Sequence, residues 1–147
     1  MTSNGYIEAI CISTEKGTVK TPVKEAEFVK GHGIKGDAHA GNWHRQVSLL
    51  AGESVDRLKE KMPELQQGAF AENIITRNLD IKDVKVGCNI RVGREIILKV
   101  TQIGKECHHG CAIKQQTGEC IMPMEGIFAE VVRGGFAKPG DPIELLT

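Results

Sequence analysis

The chain has 147 residues, enough to bury one core and the length of one domain, residues 1–147. Lys plus Arg number 19 and Asp plus Glu number 19, so the formal net charge is zero. This balance argues against a nucleic-acid or membrane-surface binder, which carries a basic excess. The opening MTSNGYIEAICIS lacks a basic stretch followed by an apolar run, and no apolar run reaches membrane-spanning length. Five cysteines without an export signal point to a reducing cytoplasm, where disulfides are scarce.

In chain order, Ile7–Ile12 (IEAICI) is apolar on both faces and predicts an interior strand. Residues 31–50, GHGIKGDAHAGNWHRQVSLL, place His32, Asp37, His39 and His44 among glycines and alanines before an apolar strand at Val47. Glycine-rich backbone can cradle an anion, and Lys35 and Arg45 can add charge-assisted bonds to a phosphate. Two other readings stand beside this one. The segment is a solvated surface loop, or Asp37, His39 and His44 form a metal-hydrolase site, although D-x-H alone is a weak motif. Trp43, the one tryptophan, is read as core or rim packing.

Val55, Leu58 and Met62 after Gly52 predict a helix that stops at Pro63. Phe70–Ile74 (FAENI) sets Glu72 and Asn73 among apolar neighbours, either as a buried pair bonded to backbone or as a site wall. Val86, Cys88, Ile90 and Val92 alternate, Gly93-Arg94 offers a two-residue turn, and Ile96, Leu98 and Val100 continue on a return strand. That hairpin puts Cys88 on the core face. Ile127, Phe128, Val131 and Val132 form an apolar stripe that predicts a second helix, ended by Gly134-Gly135. Pro139-Gly140 predicts a turn before a closing strand. Many short strands with few helices predict a mainly β fold, a closed or nearly closed barrel with short helices at its rim.

Residues 104–120, GKECHHGCAIKQQTGEC, concentrate Cys107, Cys111 and Cys120 with His108 and His109. Lys105 and both histidines flank Cys107, and nearby cations favour the thiolate, the form that attacks sulfur or binds a soft metal. The alternatives are a small buried hydrophobe at Cys107, or a zinc site built from Cys107, Cys111 and Cys120 with His108 or His109. The spacing C-x3-C-x8-C differs from paired C-x2-C knuckles. In a thiol relay, Cys111 or Cys120 resolves a persulfide or sulfenic acid on Cys107.

Taken together, GHGIKGDAHAG with WHRQVSLL, FAENI, IGKECHHGCAI, CIMPMEGIFAEVVRGG and KPGD resemble the MOSC domain family, named for the C-terminal domain of molybdenum cofactor sulfurases. They run in the family's order from Gly31 to the end and look most like its small stand-alone bacterial members. The resemblance implies a barrel-like β fold and a role in sulfur or molybdenum-cofactor handling, with the family's cysteine matched by Cys107. In sulfurases that domain is thought to receive or present sulfur; in related reductases the matching cysteine ligates molybdenum. Two departures matter. This chain has no space for the pyridoxal-phosphate desulfurase domain of sulfurases, so pyridoxal phosphate is not expected. It also lacks the additional N-terminal barrel of the amidoxime-reducing relatives. Cys111 and Cys120 match the small bacterial subgroup.

The resulting expectation is a cytoplasmic sulfur carrier or sulfurtransferase. Cys107 takes sulfur from a cysteine desulfurase or another persulfide donor and passes it to the molybdenum cofactor, serving molybdopterin-biosynthesis proteins or molybdoenzymes. His108 and His109 tune the thiol, while Lys35, Arg45 and Lys105 face the cofactor's phosphate and Asp37, His39, Glu72 and Asn73 line its site. One rival is a cofactor chaperone in which Cys107 is a molybdenum ligand; another is a structural zinc domain.

Overall fold

The computed structural model describes residues 5–15, 19–104 and 126–146. The strands are β1 (Tyr6–Ile12), β2 (Thr21–Val23), β3 (Ala26–Val29), β4 (Gly33–Ile34), β5 (Val47–Ala51), β6 (Ile74–Arg77), β7 (Asn89–Val92), β8 (Ile96–Ile103), β9 (Ile127–Arg133), β10 (Gly135–Ala137) and β11 (Ile143–Leu145). Helix α1 (Gly52–Lys59) follows β5, and a 3-10 turn occupies Ile81–Asp83. Eight strands form one sheet in the order β11-β7-β8-β9-β5-β6-β1-β2, and β10-β3-β4 form a second. The fold is mainly β, as expected.

The eight-stranded sheet is not closed by a continuous ladder. β11 reaches back to β1 through an isolated bridge, Tyr6 to Pro142. Backbone bonds from Ile7 N to Asp141 O (2.9 Å) and from Ile143 N to Gly5 O (3.1 Å) add to it. Inside the curl lies the main core, including Ile7, Ile10, Phe28, Ile34, Leu49, Ile74, Ile90, Leu98 and Val100. Burying a side chain of this kind stabilises the fold by roughly 1.5–3 kcal/mol. Leu50 and Phe128 point away from that core and meet Val55, Leu58, Leu65 and Phe70 in a second cluster beside α1. β5 and β6 run parallel, so the chain needs a crossover between them, which α1 and residues 60–73 supply.

Four sequence expectations change here. Residues 127–133 are strand β9, not a second helix: they pair with both β5 and β8. Ile127, Phe128 and Ala129 are buried in succession because both faces of β9 are covered. A strand buried on both sides gives a continuous apolar run, which periodicity cannot tell from a helix. The β7–β8 turn has three residues, because Val92 pairs with Ile96, and Gly93 takes φ +66° there. Strand β7 starts at Asn89, leaving Val86 exposed in a turn while half-buried Cys88 still packs on the core. Helix α1 ends at Lys59, short of Pro63, and Met62 packs beside the second cluster from outside the helix.

Candidate functional site

β4 delivers the chain into the loop 35–46, which returns as β5. The loop is held near both ends by buried polar side chains. At its start Asp37 is 7% exposed, and its Oδ1 accepts from Lys20 Nζ (2.7 Å) and Ser13 N (3.1 Å). Near its end Gln46 Oε1 accepts from Val131 N (3.0 Å) on β9. Between them Trp43 Nε1 donates to His39 O (2.7 Å), folding the loop on itself.

These anchors open a pocket of about 200 Å³. His39, Trp43 and Arg45 line it from the loop, Ser48 from β5, Ala71 and Asn73 from the segment before β6, and Phe128 from β9. The Arg45 guanidinium carbon lies 4.8 Å from the Trp43 ring centroid and 5.7 Å from that of Phe128. Aromatic faces hold such a cation by their quadrupoles. Arg45 Nε is buried and has no hydrogen-bond partner among the described residues. A buried charged donor is costly to leave unmatched, so an acceptor placed at Arg45 Nε would be favoured.

Asn73 is a wall rather than a hand. Its Oδ1 accepts from Ser48 N (2.9 Å) and its Nδ2 donates to Cys11 O (3.0 Å), so its amide ties β5 to β1. Glu72 is not among the pocket's lining residues and is fully buried. It accepts from Gly68 N (2.8 Å) and Phe70 N (3.0 Å), shaping the loop in which Ala71 is held at φ +60°. Burial pushes the Glu72 pKa up, against the pull of those backbone donors and of Lys20.

Of the residues expected from sequence, Arg45, His39 and Asn73 come together at the pocket. Asp37 and Glu72 stand behind it as supports. Lys35 lies elsewhere, exposed and 3.9 Å from Glu27. Lys105, Cys107, His108, His109, Cys111 and Cys120 lie outside the described residues. His44 is exposed, its Nε2 2.8 Å from Gln102 Oε1. Asp37, His39 and His44 do not gather as a hydrolase centre would require, and among the described residues no group of three His, Cys, Asp or Glu could hold a metal ion.

Trp43, read from sequence as packing, is a pocket wall. Lys20, Ser48 and Phe128 were missed, and no local pattern marks them: Lys20 is a lone lysine between Val19 and Thr21, yet it is 2% exposed. The thiol of Cys11 is pushed up to about 12, first by burial and then by the nearby Glu72 charge, so it is unreactive at neutral pH.

The pocket adjoins the end of β8. Gln102 pairs with Phe128 across the sheet, and its side-chain amide donates to Gly104 O (2.7 Å). Gly104 N in turn donates to Gly126 O (2.7 Å), where the chain returns to begin β9.

The curled β sheet carries a pocket in which Arg45 stands between the aromatic rings of Trp43 and Phe128. The sequence model of the MOSC domain matches residues 36–144, and the chain belongs to that family, which is associated with the molybdenum cofactor. The crystal structure of the YuaD protein from Bacillus subtilis is similar, with TM-score 0.79 and 22% identity, covering 99% of this chain and 96% of that one. YiiM from Geobacillus stearothermophilus has TM-score 0.70 and 19% identity over 97% of this chain and 75% of that one. YiiM from Escherichia coli has TM-score 0.65 and 19% identity over 100% and 70%. At these identities the likeness is one of fold. No curated protein matches the chain by sequence. Among the described residues no helix is long and apolar enough to cross a membrane.

Proposed function

We propose that this chain is a sulfur carrier acting on the molybdenum cofactor, with Cys107 as the residue that bears the sulfur. The observation that carries this reading is Arg45: a buried guanidinium nitrogen without an acceptor among the described residues, in a pocket beside the strand end that leads to Cys107, in a chain of the MOSC family. The cofactor is read as the acceptor substrate. Its phosphate supplies anionic oxygens to Arg45 Nε, and Trp43 gives a flat apolar wall. The curled sheet is read as a barrel whose seam is the β1–β11 contact.

The sulfur step balances as a thiol exchange. The Cys107 thiolate attacks the outer sulfur of a donor persulfide, the donor's S–S bond breaks, and the donor leaves as a thiolate. Cys107 then carries a persulfide, and His108 or His109 holds the proton. Release of that sulfur at the sulfide level needs two electrons. A second thiol, Cys111 or Cys120, supplies them by forming a disulfide with Cys107. Sulfide exchanging for an oxo ligand of the cofactor yields water. A cysteine desulfurase fits the donor role, molybdopterin-biosynthesis proteins or molybdoenzymes the destination, and a reducing cytoplasm the setting.

Mass spectrometry of the intact protein after exposure to a desulfurase and cysteine tests this. The expected result is a gain of about 32 Da, one sulfur atom, located at Cys107 and absent from Cys107→Ser. A Cys107→Ser protein that accepts sulfur at the wild-type level overturns it. One-to-one retention of cofactor without turnover would instead support a chaperone.

A further inference from the structure

One buried carboxylate holds a stretch of backbone by two bonds. Glu72 is fully buried, and each of its oxygens takes one backbone N–H: Oε2 from Gly68 (2.8 Å) and Oε1 from Phe70 (3.0 Å). An ionised carboxylate only accepts, whereas a carboxylic acid carries an O–H that has to donate when it is buried. A proton on either oxygen therefore replaces an acceptor by a donor opposite a backbone N–H. Burial pushes the Glu72 pKa up against those donors and against Lys20, so the proton binds above the ordinary carboxylate range.

The two bonds yield unequally. Phe70 is anchored by its ring, which packs with Leu50, Leu65 and Phe128. Gly68 has no side chain and takes φ +89°. Its carbonyl, in the following peptide, accepts from Lys20 N and Ala71 N, both at 2.9 Å, and so stays in place. A Cβ on Gly68 would collide with the Lys20 carbonyl, so this position takes glycine alone. The Gln67–Gly68 peptide is then the unit that can turn. Turning it reverses the sign of φ at Gly68, which glycine accepts, and presents the Gln67 carbonyl where the Gly68 N–H had been. Two titratable groups face Glu72. Lys20, before β2, favours the charged form, with Asp37 and His39 bound to its ammonium. The Cys11 thiol on β1, with its pKa near 12, stays neutral.

We propose that Glu72 and the Gln67–Gly68 peptide form a proton-operated switch. As the carboxylate, Glu72 holds the Gly68 N–H; as the acid, it donates to the Gln67 carbonyl of the turned peptide. The switch acts on Ala71, a pocket wall held at φ +60°, and on the Lys20 backbone that Gly68 supports. It goes beyond the sulfur-carrier reading and rests neither on Cys107 nor on what fills the pocket.

Nuclear magnetic resonance of the full chain, labelled with 13C and 15N, tests the proposal. The Glu72 Cδ, the Gln67 carbonyl carbon and the Gly68 amide are followed as pH is lowered through the range in which the chain stays folded. All three are expected to move together with one midpoint above 4.5, while the Phe70 amide moves least. Below that midpoint, protection of the Gly68 amide, corrected for intrinsic exchange, falls about tenfold. Glu72→Gln donates from its amide at every pH, so its Gly68 and Gln67 signals stay at the wild-type low-pH positions throughout. Should that variant not fold, the wild-type titration decides alone. A Glu72 carboxyl that titrates while Gly68 and Gln67 stay still overturns the switch. So does a carboxyl that keeps one charge state across the folded range, or a folded Glu72→Gln whose Gly68 amide keeps the wild-type high-pH position.

Discussion

Two ion-pair centres in this molecule use the same chemistry at different depths. Lys20 and Asp37 meet at 2.7 Å with both side chains wholly buried. Arg77 on β6 bonds Glu8 on β1 (2.5 Å) and Asp56 on α1 (2.7 and 3.1 Å), with the Arg77 side chain 21% and Asp56 53% exposed. The outer centre fastens the helix to the sheet, and water can replace each partner. At the inner centre water cannot, so every donor and acceptor must be met within the protein. Depth thus leaves the buried pair only the partners that the protein itself supplies, Ser13 and His39 among them. Burial raises the cost of breaking the pair and, with it, the specificity of the arrangement.

Breaking the inner pair is expected to have the largest effect. Asp37→Ala leaves the Lys20 ammonium buried without its counter-ion and frees Ser13 N and His39 N. The expected loss is about 3–5 kcal/mol in denaturant unfolding. A loss near that of a surface pair would erase the contrast between the two centres.

Glu72 sharpens the comparison, because it is buried with backbone donors rather than a direct ionic partner. Its native pKa is raised from 4.5 by burial. Above 4.5 and up to that raised value, the native state keeps a proton that the unfolded state has released, so stability falls as pH rises through this window. Glu72→Gln is expected to flatten that slope and to cost about 1–3 kcal/mol, since an amide cannot accept from both Gly68 N and Phe70 N as the carboxylate does. Thermal unfolding across the pH range is the measurement, and a slope that survives the substitution would assign it to another group.

Arg77→Ala is expected to cost least, about 1 kcal/mol, and its effect should shrink in high salt. The bond from Arg77 holds the Asp56 carboxyl below its usual range. A depressed carboxylate stabilises above its unfolded pKa, and that stabilisation disappears as pH falls through the native value. The variant and the wild type should therefore converge in acid. Unfolding at low and high salt, each at neutral and acid pH, checks both statements.

How much the sequence disclosed varies by element. β1, the β5 strand, α1, the Pro139-Gly140 turn and closing β11 were legible because each is punctuated by local turn chemistry or carried by an apolar run. β9 was misread as a helix because coverage on both faces removes the alternation that marks a strand. The short strands β2, β3, β4, β6 and β10 carried too few residues to show a period. At the site, Arg45, His39 and Asn73 stood out by residue type and company. Lys20 did not, since nothing local to a single lysine says it will be buried.

The sequence by itself determined a mainly β domain of the MOSC family, because composition, glycine positions and ordered motifs act locally and survive without coordinates. Only the tertiary structure decided that Lys20 meets Asp37 and His39, that Lys35 stays outside, and that Arg45 faces a pocket with its Nε unmatched among the described residues. Those facts depend on which distant segments share a desolvated space, and desolvation is a property of the packed chain, not of any residue within it.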